Sequence, residues 1–329
     1  MNIAANRRFL LLSGKLLVVA LTLYLLWQAI FTAPDTFLNW QTILHNTLAS
    51  PYRWLFIVTA ILIPLNWGFE AKKWQLLGQK LEPISFLRAY RAVMVGLTLG
   101  FITPNRIGDY AGRVLELKSK QRLDAIGAIF IGRFCQLVAT VIVGSVGLLY
   151  FIVGFFWADY PGVSLSLVFL LTAISAAMLL LLYNAQAMVA VISAVKPLRK
   201  LVGYVAIMGR YTSAEISKVL FLSLGRYIVF LLQFILLLIL FDVKLSVLQY
   251  VCGVAGTFFI KSIVPSVSLL SDLGVRELSA MYLFGLLGQE RLQVLSASLS
   301  LWLLNIAVPS VLGLYFVLRL RFFRKGVTA

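Results

Sequence analysis

Long apolar runs alternate with short basic intervals from one end of the chain to the other. Stretches of 18 or more mostly apolar residues have the length needed to cross a bilayer as a helix. The pattern places such runs at about Phe9 to Phe31, Trp54 to Glu70, Ala125 to Phe156, Val163 to Val195, Val219 to Phe241 and Leu292 to Leu318. The last of these is kinkable at Pro309. A transmembrane β-barrel would instead show short segments of alternating hydrophobicity. The chain therefore reads as an all-α polytopic membrane protein, a single transmembrane domain over 1–329.

Two further apolar intervals are broken. Gly96 to Arg113, GLTLGFITPNRIGDYAGR, begins like a membrane helix and then meets Thr103, Pro104 and Asn105, followed by Arg106, Gly108, Asp109 and Arg113. Leu245 to Leu287 is interrupted by Lys261, Pro265, Asp272, Gly274, Arg276 and Glu277. Irregular backbone at membrane depth is tolerated only where it is buried in protein or lines a wet cavity. The bland alternative for the first interval is a helix that ends at Phe101 and a polar loop after it.

Charge decides between them. If residues Ala92 to Gly112 dip into the membrane and return, five basic groups share one side. These are the N-terminus, the segments flanking the dip, the Lys196–Lys218 loop and the C-terminal tail. Together they hold 21 Lys and Arg, against Arg53, Lys244 and Arg291, 3 in all, on the other. Lys and Arg in short loops mark the cytoplasmic side. This asymmetry favours the dip, makes Leu245–Leu287 a second dip from the opposite face, and places both termini in the cytoplasm of a cytoplasmic (inner) membrane. The expectation is about six full spans plus two re-entrant broken-helix segments, eight or more helices. The halves 54–156 and 219–318 are then related as an inverted-topology repeat, with broken helices meeting near the midplane.

Composition changes this picture little. The formal charge of +17 reads as loop bias and attraction to anionic headgroups rather than nucleic-acid binding. Cys135 and Cys252 sit in apolar runs and form no metal or disulfide pattern, and His45, the single histidine, reads as a solvated loop residue. No cofactor is indicated. Arg7, Arg8 and Lys15 before an apolar run resemble a signal sequence, but the run is long and lacks a cleavage pattern, so it reads as an uncleaved span.

The candidate chemistry lies in the membrane. Asn105, Arg106, Asp109 and Arg113 form the first group: arginine forks donate two parallel bonds to phosphate, and Gly108 and Gly112 allow close backbone approach. A short helix after Pro104 would add its amide dipoles. Arg106 and Asp109 pairing for structure alone is the other reading. Arg133 with Gln136 at i+3 is the second group, a central cationic site or a snorkelling side chain. The third, Arg226 and Tyr227 with Gln233, repeats a Gly-Arg pair, Gly132–Arg133 and Gly225–Arg226, in corresponding spans. The fourth is Lys261, Ser266, Ser268, Ser271, Asp272, Arg276 and Glu277; Arg276–Glu277 is a structural pair or a headgroup contact. Asn66, Glu70, Lys73 and Trp74 read as an interfacial anchor with a surface ion pair. A proton-relay role for Asp109, Asp272, Glu70 or Glu277 stays open.

The stretches GLTLGFITPNRIGDYAGR, IGRFCQLVATVIVG and VPSVSLLSDLGVRE, with NWGFEAKKW, resemble the transmembrane region of lysylphosphatidylglycerol synthase, a flippase-like family. They occur in the family's order and cover most of Trp54 to Glu277. The family carries glycine after the motif proline, where this chain has Asn105. The resemblance implies an integral membrane protein that moves a lipid or a lipid-linked headgroup across the bilayer. Bifunctional members, the multiple peptide resistance factors, add a soluble aminoacyl-transferase domain after the membrane part. The chain ends at Ala329, so lysyl transfer is not expected.

The function expected is a lipid flippase moving an anionic phospholipid or a polyprenyl-phosphate-linked lipid through an Arg-lined midplane cavity. No enzyme is expected: HExxH, DxD and activated Ser or Cys patterns are missing from the sequence. The alternatives are an integral-membrane enzyme on a lipid phosphate or lipid-linked sugar, and a scaffold for a lipid-synthase partner. Beyond a membrane lipid, the partner is left open between a second copy of the chain and such a synthase.

Overall fold

The computed structural model describes residues 20, 24, 45, 49–103, 106–118, 124–196, 199, 202–264 and 274–319. The first expected span, at Phe9–Phe31, lies almost wholly outside them. Among the described residues there are five helices long and apolar enough to cross a membrane. The protein is an all-α polytopic membrane protein.

Helix α1 is Trp54–Gly78, and α2 (Phe86–Phe101) and α3 (Ile107–Leu115) follow. Helix α4 is Ala125–Phe151, extended by a π-helical turn at Ile152–Phe156. Helices α5 (Pro161–Tyr183) and α6 (Ala185–Ala194) come next, then α7 (Ser213–Leu240). Helices α8 (Val247–Ile263) and α9 (Val275–Leu286) precede α10 (Arg291–Trp302), a π-helical stretch at Leu303–Ala307, and α11 (Val308–Arg319).

Starts are written locally. Thr212 and Glu215 form a capping box on α7, and Ser246 and Gln249 form one on α8. Ser85 caps α2, and Pro161 opens α5 where a missing N–H costs nothing.

Two expectations are corrected, at Val163–Val195 and at His45, and the irregularity expected at Pro309 is located. The run Val163–Val195 is two helices, because the Asn184 side chain accepts from Ala187 N and starts α6 anew. The irregularity in the last span falls at Leu303–Ala307, one turn before Pro309, where a wider turn accommodates a proline without an N–H. His45 is exposed but on helical backbone.

Both broken intervals are antiparallel helical hairpins. A Cβ on Gly108 would lie 2.1 Å from the Leu99 carbonyl oxygen, and one on Gly112 would lie 2.5 Å from Gly96 Cα. The two arms α2 and α3 thus touch backbone to backbone. Glycine does allow close approach here, but to the other arm rather than to a ligand. With 16 and 9 residues, the arms are about 24 and 13 Å long, too short for a hydrocarbon core of about 30 Å. In the second hairpin Gly253 meets the Phe284 ring and Gly256 meets Leu283.

The ends of the bundle sort by connectivity. At one end the Lys118 amide donates to Glu82 at 2.7 Å, and Arg88 pairs with the same carboxylate. The Tyr211 hydroxyl donates to Leu77 O and Lys80 pairs with Glu215, which brings the start of α7 to that end. At the other end the Lys244 amide donates to Gln289 Oε1, joining the exit of α7 to the turn after α9. The α2–α3 hairpin therefore enters from one face and α8–α9 from the other. In a background lacking Cys135 and Cys252, Lys118→Cys and Lys244→Cys should label from opposite sides of sealed vesicles; labelling from one side contradicts this topology.

Packing between the halves is reciprocal. Helix α8 lies on α4 through Gly144 and Gly147, and α2 lies on α11 through Gly313. The Thr98 hydroxyl donates to Ser310 O across that second contact. Small residues at such crossings let helices approach where no hydrophobic drive exists. Each hairpin is thus clasped by the helix that follows the other.

Candidate functional site

Helix α1 presents Asn66, Glu70 and Lys73 at i, i+4 and i+7, one face of a helix. Their place near the end of the apolar run predicts a surface pair at a span's edge. The helix instead runs two turns further to Gly78, so this face is interior. Glu70 is 4% and Lys73 1% exposed, and Trp74 is buried with them rather than anchored at an interface.

Glu70 is the hub. Its Oε1 accepts from Arg113 at 2.9 Å, and its Oε2 accepts from Lys73 and from Arg226, both at 2.8 Å. Asp109 is the second acceptor. Arg113 donates to both its oxygens through Nε (3.0 Å) and Nη2 (3.1 Å), and Arg133 donates to Oδ2 as well. Lys73 also donates to Gln136, whose amide donates to Ser223 O. Helices α1, α3, α4 and α7 are thereby tied by two carboxylates and four cations. Such a network costs desolvation that its pairing recovers only when every member is engaged.

Two arginines are held alike. Arg133 lies over the Tyr110 ring at 4.7 Å and Arg226 over the Trp67 ring at 4.9 Å. Each therefore has a carboxylate on its donors and an aromatic face beneath. The glycine before each packs toward the α1 side: Gly132 meets Leu77 and Gly225 meets the Phe69 ring. The repeated Gly-Arg pair thus seats a helix on its neighbour and sends the next side chain to the interior.

That interior is a cavity of about 420 Å³. Its charged lining among the described residues is Lys73, Arg106, Arg113, Arg133, Arg226 and Lys261, against Glu70 and Asp109. Arg106 sits between the arms of the first hairpin with φ 56°, a left-handed conformation costly for a residue with a Cβ. Lys261 comes from the last turn of α8. The two hairpins therefore deliver cations to one space. A smaller lobe of about 180 Å³ adjoins it and shares Arg106, Arg226, Lys261 and Gln136 with it. Tyr227, Phe230, Phe258, Asn305 and Arg276 complete much of its wall.

Residues 10–313 match the family model for the lysylphosphatidylglycerol synthase TM region. The chain belongs to that family. No curated protein matches it, and no solved structure does.

In this family member the candidate residues divide by role. Arg106, Asp109, Arg113, Arg133, Gln136, Arg226 and Lys261 meet around the larger lobe. Tyr227 is on the smaller one, its hydroxyl enclosed without a hydrogen-bond partner among the described residues. Arg276 borders that lobe but is held: Nε donates to Ser298 Oγ at 2.9 Å and Nη2 to Glu277 at 2.5 Å. Glu277 also accepts from Ser298 and from the Gly274 amide, so the pair fixes the start of α9. Asn105, Ser268 and Asp272 lie outside the described residues. Gln233 serves structure, donating to Thr59 O. Asn66 accepts from Arg226 Nε and donates to Asn305 in the π-helical stretch, linking the cavity to the irregular last span.

Proposed function

We propose that this protein moves an anionic phospholipid or a polyprenyl-phosphate-linked lipid across the cytoplasmic membrane, its headgroup passing through the cavity between the hairpins and its chains staying in lipid. The observation that carries the reading is the cationic excess of that cavity, six basic side chains against two carboxylates among the described residues. Charge at membrane depth is expensive, and an anionic headgroup offsets it. Membership of the family supports a lipid-related role.

An excess of cations favours an anionic headgroup over a zwitterionic one. Arg133 and Arg226 are the contacts assigned to phosphate, because each is positioned by a carboxylate and a ring and keeps further N–H groups. Transport fits better than catalysis: Glu70 and Asp109 are saturated by guanidinium and ammonium donors, which leaves neither poised to exchange a proton. The side bearing Lys118 is assigned to the cytoplasm with both termini. Moving Lys73 and Arg113 from the loop count to the buried network still leaves 19 basic residues there against 3.

Purified protein in liposomes tests this, with headgroup accessibility read by a membrane-impermeant quencher. Arg133→Ala and Arg226→Ala should each slow translocation of an anionic lipid at least about ten-fold, the loss of one charge-assisted contact. Unchanged rates in both would overturn the assigned site.

A further inference from the structure

We infer that the headgroup this cavity accepts carries two phosphoryl groups; the inference rests on the anionic-lipid reading above and narrows it.

The first support is charge matching. Arg276 is neutralised by Glu277 and drops out. Six cations remain around the larger lobe against Glu70 and Asp109. Counting only Lys73, Arg113, Arg133 and Arg226, whose carboxylate partners are Glu70 and Asp109, still leaves an excess of two among the described residues. A phosphodiester brings a single negative charge and leaves part of that excess in a poorly solvated space. Two phosphoryl groups bring at least two. Charge interactions strengthen as water is excluded, so the mismatch weighs more here than at a surface.

The second support is shape. The space has two adjoining lobes, about 420 and 180 Å³, and both are lined by cations. Among the described residues no carboxylate lines the smaller lobe. Arg226 faces both lobes, whereas Arg133 faces only the larger. The two arginines come from α4 and α7, one from each half, and each is set by its own carboxylate and ring. Arg133 retains a buried Nε with no hydrogen-bond partner among the described residues. Two oriented guanidinium forks on a bilobed cavity suit two tetrahedral anions better than one.

Two lipid chemistries present that pattern. In a polyprenyl diphosphate the phosphoryl groups are contiguous; in a diphosphatidyl lipid such as cardiolipin a glycerol separates them. Native mass spectrometry of the full chain in detergent distinguishes them. Geranylgeranyl monophosphate is titrated against geranylgeranyl diphosphate, and phosphatidylglycerol against cardiolipin, with phosphatidylcholine as the background.

The expected result is at least about ten-fold tighter binding of the two-phosphate member of a pair, one additional charge-assisted contact. Preference in the first pair assigns contiguous phosphates, and preference in the second alone assigns spaced ones. Arg133→Gln and Arg226→Gln should narrow the preference to about two-fold; the wild-type comparison stands without them if either variant fails to fold. Equal binding within both pairs, above background, overturns the two-phosphate inference and leaves the anionic site in place. Binding of none of the four above background overturns both.

Discussion

Glu70→Gln is expected to be the most damaging conservative substitution in the protein. It removes the charge that Lys73, Arg113 and Arg226 share; Arg113 keeps Asp109, while Lys73 and Arg226 keep no carboxylate partner among the described residues. Breaking a buried pair by deleting one partner costs about 3–5 kcal/mol, because the other charge stays behind without compensation. Two such charges stay behind here, Lys73 on α1 and Arg226 on α7. The readout is the unfolding midpoint of detergent-purified protein, together with its elution as a single species. Lys80→Gln is the control: its partner Glu215 is the same kind of carboxylate, but both side chains are over a third exposed. Such a pair is worth about 1 kcal/mol or less. Equal effects of the two substitutions would remove Glu70 from its place as hub.

Gly108→Val should open the first hairpin. The added Cβ meets the Leu99 carbonyl oxygen at 2.1 Å and the Gly100 amide nitrogen at 2.8 Å, both backbone atoms that no rotamer change can move. Overpacking of this kind costs about 1–3 kcal/mol, and separating the arms also breaks the bond from the Gly108 amide to Thr103 Oγ1. Arg106 and Asp109 flank the site, so translocation should fall with stability. Gly68→Val in α1 is the matched control, since a Cβ there meets nothing within 4 Å. Comparable expression, thermal midpoint and transport for the two variants would sink the claim that backbone contact between the arms holds the cavity wall.

Much of the architecture was legible because membrane helices declare themselves by length and hydropathy. The run Ala125–Phe156 was read to the residue. The hairpins were legible from charge, because a full crossing after Ala92 would put a basic segment on the wrong side of the membrane. The ionic network around Glu70 was only half legible. Arg106, Arg133, Arg226 and Lys261 stood out as ions in apolar surroundings. Glu70 and Lys73 did not, because the hydropathy of α1 fades near Glu70 while the helix itself continues to Gly78. The signal available was the helical spacing of Asn66, Glu70 and Lys73. The break at Asn184 was missed because an apolar run on both sides hides a polar cap. The π-helical stretch at Leu303–Ala307 carries no comparable mark, since its Asn305 is placed by Asn66 on a distant helix.

The brevity of the hairpin arms has an electrical consequence. A cavity between two short hairpins, lined by eight charged side chains among the described residues, would thin the insulating layer once hydrated, so that the membrane voltage would fall across much less than the full hydrocarbon thickness. Each elementary charge moved through that layer exchanges about 2.3 kcal/mol per 100 mV with the field. On the function proposed above, a multiply charged headgroup crossing it would feel most of the voltage in one short step, and the resting potential would bias the direction of travel.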